Sequence, residues 1–348
     1  MKKILSIVGA RPNFIKLAAI HEVLEKSFTH VIVHTGQHYD YELSQHFFDE
    51  LTIPEPDYNL HTGSATHGIL TARVISGCEK ILLSEKPNIV VVYGDTNSTL
   101  GGALAVAKLE IPIVHVESGL RSFHKNMPEE INRIVTDHIS EVLLCPSELA
   151  VKNLKTEGIT KNVYVTGDVM YDIFLRVKPD FSILKRFNMR PKNYYFATIH
   201  RQENTDNSIK LRKIIDVLDN LDLPVIFPVH PRTKKALKSL NLKQKNIRFI
   251  KPVKYSQSIA LQKNAKTIIT DSGGIQKEAY WLKVPCITLR DFTEWSETVS
   301  SGWNKLVGAN KKLIQEAVKN FNNPQNHPDF YGEGNASNKI AEILKDYL

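Results

Sequence analysis

Lys266-Thr-Ile-Ile-Thr-Asp271-Ser272-Gly273-Gly274-Ile-Gln-Lys-Glu278 is the most telling stretch of this chain. Residues 267–270 are all β-branched, which predicts a strand. Two glycines at its end let the backbone turn tightly, and a helical pattern begins at once. A helix N-terminus carries free N–H groups and the positive end of the helix dipole, so a turn of this kind suits a phosphate. Ser272 adds a hydroxyl, and Glu278, one turn in, suits ribose hydroxyls. The same residues would also make a plain strand-to-helix turn with no ligand, and so short a motif does not separate the two.

Similar units recur along the chain. Apolar runs at 3–8, 30–34, 88–93, 112–116, 141–145 and 162–165 form one series, and 194–199, 224–229, 247–250, 266–270, 285–289 and 305–307 form a second. Helix-like segments separate most of them. Continuous apolar strands alternating with helices predict parallel sheets covered on both faces. Two series predict two doubly wound, Rossmann-like α/β domains, 1–168 and 169–335. Val177-Lys-Pro-Asp-Phe lies near the break, and the Pro/Asn-rich 322–328 is a second breaker. Residues 336–348 read as an amphipathic helix with Ile340, Ile343 and Leu344 on one face, able to pack back on the first domain.

Polar, cationic and glycine residues gather where these strands end. Examples are Gly9-Ala-Arg11-Pro12, Gly94-Asp95-Thr96, Glu117-Ser-Gly119, His200-Arg201, His230-Pro-Arg232 and Arg290-Asp291. Open α/β sheets bind ligands at that edge. The expectation is a ligand cleft between two facing domains.

Composition narrows the class. With 348 residues, 42% hydrophobic and 24% charged, the chain reads as a globular protein of two domains. A net charge of +8 would attract nucleic acid or an acidic metabolite. No run of five or six like charges and no zinc-finger or RNA-binding signature occurs, which argues against nucleic acid. Cys78, Cys145 and Cys286 are scattered, without disulfide or metal spacing, and the last two sit in apolar runs as small core residues. The N-terminal Met-Lys-Lys-Ile-Leu-Ser-Ile-Val-Gly is too short for a signal peptide, and no apolar stretch is long enough to span a membrane. The expected compartment is the cytoplasm.

Several side chains at strand ends carry chemistry. Arg11 and Lys16 flank the first strand-to-helix turn, where Pro12 suits a helix start and frees Arg11 for a phosphate. A solvated surface arginine is the plainer alternative. Asp95 and Glu117 end two strands expected to be neighbours, so they converge. Asp95 would serve equally as a helix N-cap. Glu129 and Glu130 follow Pro128 at a helix start, where acids also merely complement the dipole. His200 and His230 end consecutive strands of the second series, and histidine is the side chain most easily tuned to exchange a proton near neutral pH. Either would also fit as a structural histidine. No HExxH, CxxC or paired-His spacing occurs, so no catalytic metal is expected. No GxGxxG turn follows any strand, so a dinucleotide cofactor is not expected. The looser glycine pattern suits a nucleoside diphosphate.

The motifs Gly9-Ala-Arg-Pro-Asn-Phe-Ile-Lys16, Thr35-Gly-Gln-His38, Tyr93-Gly-Asp-Thr-Asn-Ser-Thr-Leu100, His115-Val-Glu-Ser-Gly-Leu-Arg121, Pro128-Glu-Glu-Ile-Asn-Arg133, Ile199-His-Arg-Gln-Glu-Asn204, Pro228-Val-His-Pro-Arg232 and Thr270-Asp-Ser-Gly-Gly-Ile-Gln-Lys-Glu278 fall in order. Over essentially its whole length the chain resembles the non-hydrolysing UDP-N-acetylglucosamine 2-epimerases. That resemblance implies a GT-B-like arrangement of two Rossmann-like domains, a homodimer, and inversion at C2 of a UDP-linked amino sugar without a cofactor. UDP is eliminated to leave a glycal and then added back. By the same resemblance Asp95, Glu117, Glu129 and His200 take the catalytic positions. Arg11, Lys16, His230, Ser272, Gly273, Gly274, Glu278 and Arg290 take those that bind the UDP-sugar.

Some residues depart from the family's usual pattern. Many members have Thr-Arg-Pro-Glu where this chain has Ala10-Arg-Pro-Asn13, and Gly where it has Ile199. The later signature here runs Arg290-Asp-Phe-Thr-Glu-Trp295-Ser-Glu-Thr-Val-Ser-Ser-Gly-Trp303. These variants resemble the branch that epimerises UDP-2,3-diacetamido-2,3-dideoxyglucuronate for surface polysaccharides, and Trp295 and Trp303 either reshape the sugar pocket or pack the loop. Gln37-His38-Tyr39-Asp40 stands where substrate-activated bacterial members have Gln-His-Arg, which implies weak or absent activation by UDP-N-acetylglucosamine. A glycosyltransferase, a hydrolysing epimerase and a non-catalytic binding module are the competing functions.

Overall fold

A computed structural model describes residues 1–37, 54–240, 242–321 and 323–348. The chain divides into two compact units, Met1–Arg176 with Asp329–Leu348, and Val177–Pro328.

The first unit is built on a seven-stranded parallel sheet. Its strands are β1 (Lys3–Val8), β2 (Thr29–His34), β3 (Tyr58–Asn59), β4 (Ile89–Tyr93), β5 (Ile113–Val116), β6 (Val142–Cys145) and β7 (Val163–Val165), ordered β3-β2-β1-β4-β5-β6-β7. The central strand Ile-Val-Val-Val-Tyr of β4 is buried along its whole length, as a strand covered on both faces must be. Strand order reverses between β1 and β4, which pair in parallel. Ligand crevices form outside the carboxyl ends of strands at such a switch point.

The second unit has six strands, β8 (Tyr195–Thr198), β9 (Val225–Pro228), β10 (Ile247–Ile250), β11 (Thr267–Thr270), β12 (Cys286–Thr288) and β13 (Asn304–Leu306), ordered β10-β9-β8-β11-β12-β13. All its described pairings are parallel. Along β8 the side chains alternate between two cores. Tyr195 and Ala197 join one apolar cluster, while Phe196 joins the other with Ile226 and Ile268. This two-residue alternation is the pleat of a strand with helices on both faces. Here the order reverses between β8 and β11.

Each of the twelve apolar runs read from the sequence became a strand. The two-residue edge strand β3 was not foreseen, because so short a segment carries no period. The boundary between the units falls after the helix Val169–Arg176, which the sequence had been expected to give to the second domain. This helix packs on the helix Arg11–Leu24. The terminal helix Ala336–Tyr347 packs on both, burying Ile340, Ala341 and Leu344. Asp172 caps that helix, its Oδ2 accepting from the Ser337 N–H at 2.8 Å and from the Ser337 hydroxyl at 2.6 Å. The three cysteines are free and buried. Among the described residues, no helix is long and apolar enough to cross a membrane.

Candidate active site

In the first unit two neighbouring strands deliver the acids. Tyr93 of β4 lies beside Val116 of β5, so the turns that follow them are adjacent. Gly94 has φ 63° and Glu117 has φ 70°. Gly94 takes the left-handed conformation that favours glycine, and a Cβ there would lie 2.7 Å from Lys16 Nζ, which would have to move. That ammonium sits 2.6 Å from Glu117 Oε1, with the two side chains only 5% and 9% exposed. Lys16 comes from the helix Arg11–Leu24, whose start lies at the end of β1. The pair is a charge-assisted hydrogen bond in a nearly closed site.

Asp95 is ion-paired to the guanidinium of Arg133 and keeps 28% of its side chain exposed. Arg133 also binds Glu130 at 2.6 Å. Glu130 is fully engaged, since it accepts from the N–H groups of Ser122 at 2.9 Å and Phe123 at 2.7 Å and from the Ser122 hydroxyl at 2.9 Å. Its role is to hold the loop and orient Arg133, while half-buried Glu129 stands beside it in the first turn of the helix Pro128–Ile139. Asn132 donates to the backbone oxygen of Asp95 at 2.9 Å. Asn13 donates to Tyr93 O at 2.7 Å and accepts from the Ala10 N–H at 3.1 Å. It thereby ties the end of β1 to the end of β4. The amide serves there as both donor and acceptor, which an ionised glutamate could not.

In the second unit the key group is one that the sequence reading left unassigned. Asp271, fully buried after β11, accepts from the N–H groups of His200 at 2.9 Å and Arg201 at 3.0 Å and from the Asn204 amide at 3.0 Å. His200 Nδ1 is 3.8 Å from Asp271 Oδ1, and its side chain is 30% exposed. The His230 ring lies 5.4 Å from the His200 ring, tilted by 36°. His230 caps the helix Pro231–Lys238, its Nδ1 accepting from the Arg232 N–H at 3.2 Å. An accepting Nδ1 places the proton of the neutral ring on Nε2. Parallel pairing of β8 with β9 and β11 brings these three strand ends together.

Ser272 caps the helix Gly273–Trp281 through its hydroxyl, which accepts from the Ile275 N–H at 3.4 Å. A Cβ at 273 would fall 2.6 Å from Glu294 Oε1, whereas at 274 its nearest neighbour would be Ser272 Oγ at 3.9 Å. A side chain at the first glycine would displace the Glu294 carboxylate, and the second leaves the helix start open to an approaching anion. Glu278 accepts from Gln262 Nε2 at 2.6 Å. Arg290 is buried with Glu294 at 3.0 Å and Glu203 at 3.4 Å. Trp303 packs the loop: its Nε1 donates to Asn326 O at 2.9 Å. Trp295 lies over the Lys277 ammonium at 4.0 Å, beside the Gly273 turn. The side chain of Arg11 and residues His38, Tyr39 and Asp40 lie outside the described residues. Among the described residues, no group of three or more His, Cys, Asp or Glu is placed to hold a metal ion.

Two Rossmann-like units, one ending in cation-paired carboxylates and the other in a serine-glycine helix start, define a GT-B-like enzyme of nucleotide sugars. A sequence model of the UDP-N-acetylglucosamine 2-epimerases matches residues 21–345, and the chain belongs to that family of isomerases. It is 52% identical to a UDP-N-acetylglucosamine 2-epimerase homolog of Methanococcus maripaludis, covering 99% of each chain. It is 44% identical to the UDP-2,3-diacetamido-2,3-dideoxy-D-glucuronate 2-epimerase of Pseudomonas aeruginosa, over 98% of this chain and 99% of the relative. The Methanocaldococcus jannaschii UDP-GlcNAc 2-epimerase, solved in complex with UDP-GlcNAc and UDP, superposes with a TM-score of 0.92 at 46% identity, covering 99% of both chains.

Proposed function

We propose that this protein interconverts UDP-N-acetylglucosamine and UDP-N-acetylmannosamine by eliminating and re-adding UDP. The carrying observation is the pair of strand-end carboxylates, Asp95 against Arg133 and Glu117 against Lys16, at the carboxyl ends of neighbouring parallel strands. A sugar C2 proton has no adjacent carbonyl to acidify it. Cleavage of the C1–O bond must therefore lead, with UDP leaving as the anion and positive charge developing at C1 and the ring oxygen. Carboxylates stabilise such a centre. One carboxylate of the set Asp95, Glu117 and Glu129 then takes the C2 proton, giving the glycal. A proton returned to the opposite face, with UDP re-added at C1, yields the epimer. The cycle is redox-neutral and calls for no cofactor.

The second unit supplies the nucleotide contacts on this reading. Ser272, Gly273 and Gly274 offer the helix N-terminus to the diphosphate. Glu278 takes the ribose hydroxyls, and Arg11, His230 and Arg290 face the nucleotide. Lys16 serves by holding Glu117, and His200 works beside His230 on the departing and returning diphosphate. The enzyme acts in the cytoplasm as a homodimer, with weak or absent activation by UDP-N-acetylglucosamine, and feeds polysaccharide synthesis.

One relative favours a second substrate. The 44% identity to the diacetamido-dideoxyglucuronate enzyme and the Trp295 signature both suit a UDP-linked diacetamido uronate. Incubation with each UDP-sugar in heavy water separates the readings. The epimerase should give an equilibrium pair of UDP-sugars carrying deuterium at C2. Free sugar released with UDP would identify a hydrolase, and no turnover without an acceptor would point to a transferase. Label entering only the uronate would shift the substrate to that branch.

A further inference from the structure

One fully buried histidine lies under both acid-bearing turns. His115, in β5, has its Nε2 2.7 Å from the backbone oxygen of Gly94 and its Nδ1 2.6 Å from Asp137 Oδ1. A backbone carbonyl only accepts, so Nε2 carries a proton. The other oxygen of Asp137 accepts from the Gly119 N–H at 3.1 Å and from Arg121 Nη1 at 2.7 Å. Arg121 is in turn forked onto Glu157 at 2.7 and 2.6 Å. Burial pushes Asp137 up, but the charges and hydrogen bonds of His115 and Arg121 outweigh it and hold Asp137 below the usual carboxylate range. With Nε2 donating to Gly94 O, Nδ1 and Asp137 Oδ1 share a hydrogen bond on the other side, so the ring is held at both nitrogens.

The consequence concerns Asp95 and Glu117 together. Gly94, just before Asp95, is fastened to the ring. Gly119, two residues after Glu117, is fastened to the carboxylate that the ring binds. Glu117 sits at positive φ between two anchored points, a conformation that a non-glycine residue holds only when its surroundings impose it. We propose that His115, with Asp137, is a positioning residue that locks the Gly94–Asp95 and Glu117–Gly119 turns into one rigid acid-bearing frame. Its effect on turnover rests on the epimerase reading above, whereas its effect on the two turns does not.

Three variants of the full chain test this: His115→Gln, His115→Phe and Asp137→Asn. In His115→Phe, amide hydrogen exchange should speed up in residues 94–96 and 117–119 together, with the second unit unchanged. Exchange unaltered in either segment overturns the proposal. This readout needs no activity, so a wild-type protein inactive on every UDP-sugar would sink the epimerase reading alone. In the epimerase assay kcat should fall about 100-fold for His115→Phe, as expected for acids misplaced by about an ångström. KM should stay within about twofold, since binding is not what is lost. His115→Gln, which keeps a donor for Gly94, should recover about a tenth of the wild-type rate. Loss of kcat only in proportion to the unfolded fraction, or a rise in KM at constant kcat, overturns the positioning role. Should His115→Phe fail to fold, Asp137→Asn preserves shape while removing charge, and unchanged kcat there overturns the proposal as well.

Discussion

Lys16 and Glu117 stand 101 positions apart in the chain, yet their charged atoms lie 2.6 Å from each other in a nearly closed site. A lysine that the family resemblance assigns to the UDP-sugar is engaged with a carboxylate that it assigns to catalysis. Removing one member of such a pair strands the other charge away from water. Lys16→Met should lower stability by about 3–5 kcal/mol, read from urea unfolding of the first unit. The same variant should lose most epimerase activity while UDP still binds. Stability equal to wild type would show that the pair is hydrated in solution.

Asp271 is the anchor for His200. Asp271→Asn would set an amide N–H₂ against donors that the carboxylate now satisfies, and the turn at 200–201 would shift. We expect kcat to drop about 100-fold by misplacement of the imidazole, with little change in folded content by circular dichroism. Full activity would remove Asp271 from the site.

Acid should weaken the fold through buried histidines. His34 is pushed down to about 4 by burial, with His61 adding to the effect. His30, hydrogen-bonded to Ser6 and His21, is pushed down to about 3 by burial and by the neighbouring His21. An unfolded histidine takes up its proton near pH 6.5, whereas the folded ring at 34 stays neutral down to about 4. The unfolded state thus binds more protons in that window, and stability rises with pH through it. The contribution of His34 is complete above pH 6.5 and lost on descending towards 4, worth roughly 3 kcal/mol. Urea midpoints should fall from pH 7 to pH 4.5, and less steeply in His34→Asn. Equal slopes in both proteins would exclude His34 as a source.

The terminal helix hangs on one carboxylate. Asp172→Ala removes the acceptor for the Ala336 N–H, the Ser337 N–H and the Ser337 hydroxyl. Loss of an N-cap costs about 1 kcal/mol, so residues 336–347 should exchange their amide hydrogens several-fold faster. Unchanged protection would mean that packing of Ile340 and Leu344 alone holds the helix.

The strands were legible because each is a continuous apolar run bounded by turn residues, a signal local to a handful of positions. The polar strand ends were legible for the same reason. Asp95, Glu117, His200 and Ser272 could therefore be singled out, and the motifs in order already resembled the epimerase family. The cation at Asp95 could not be read, because Arg133 reaches it from the helix that follows the next strand, 38 positions further along the chain. Asp271 was in plain view in the most telling stretch, yet nothing local marks it as the acceptor for the backbone at 200 and 201.

Local chemistry along the chain was enough to establish two doubly wound units, the edge of each sheet that bears function, and the family. The partnership of those residues came from strand order. Placing β1 beside β4, β4 beside β5, and β8 beside β11 brings together groups separated by 101 and 71 positions. Hydrophobic period says which face of a strand is buried, but it carries no record of which strand lies next to it, and the ion pairs and hydrogen bonds that set these acids and histidines depend on that neighbour.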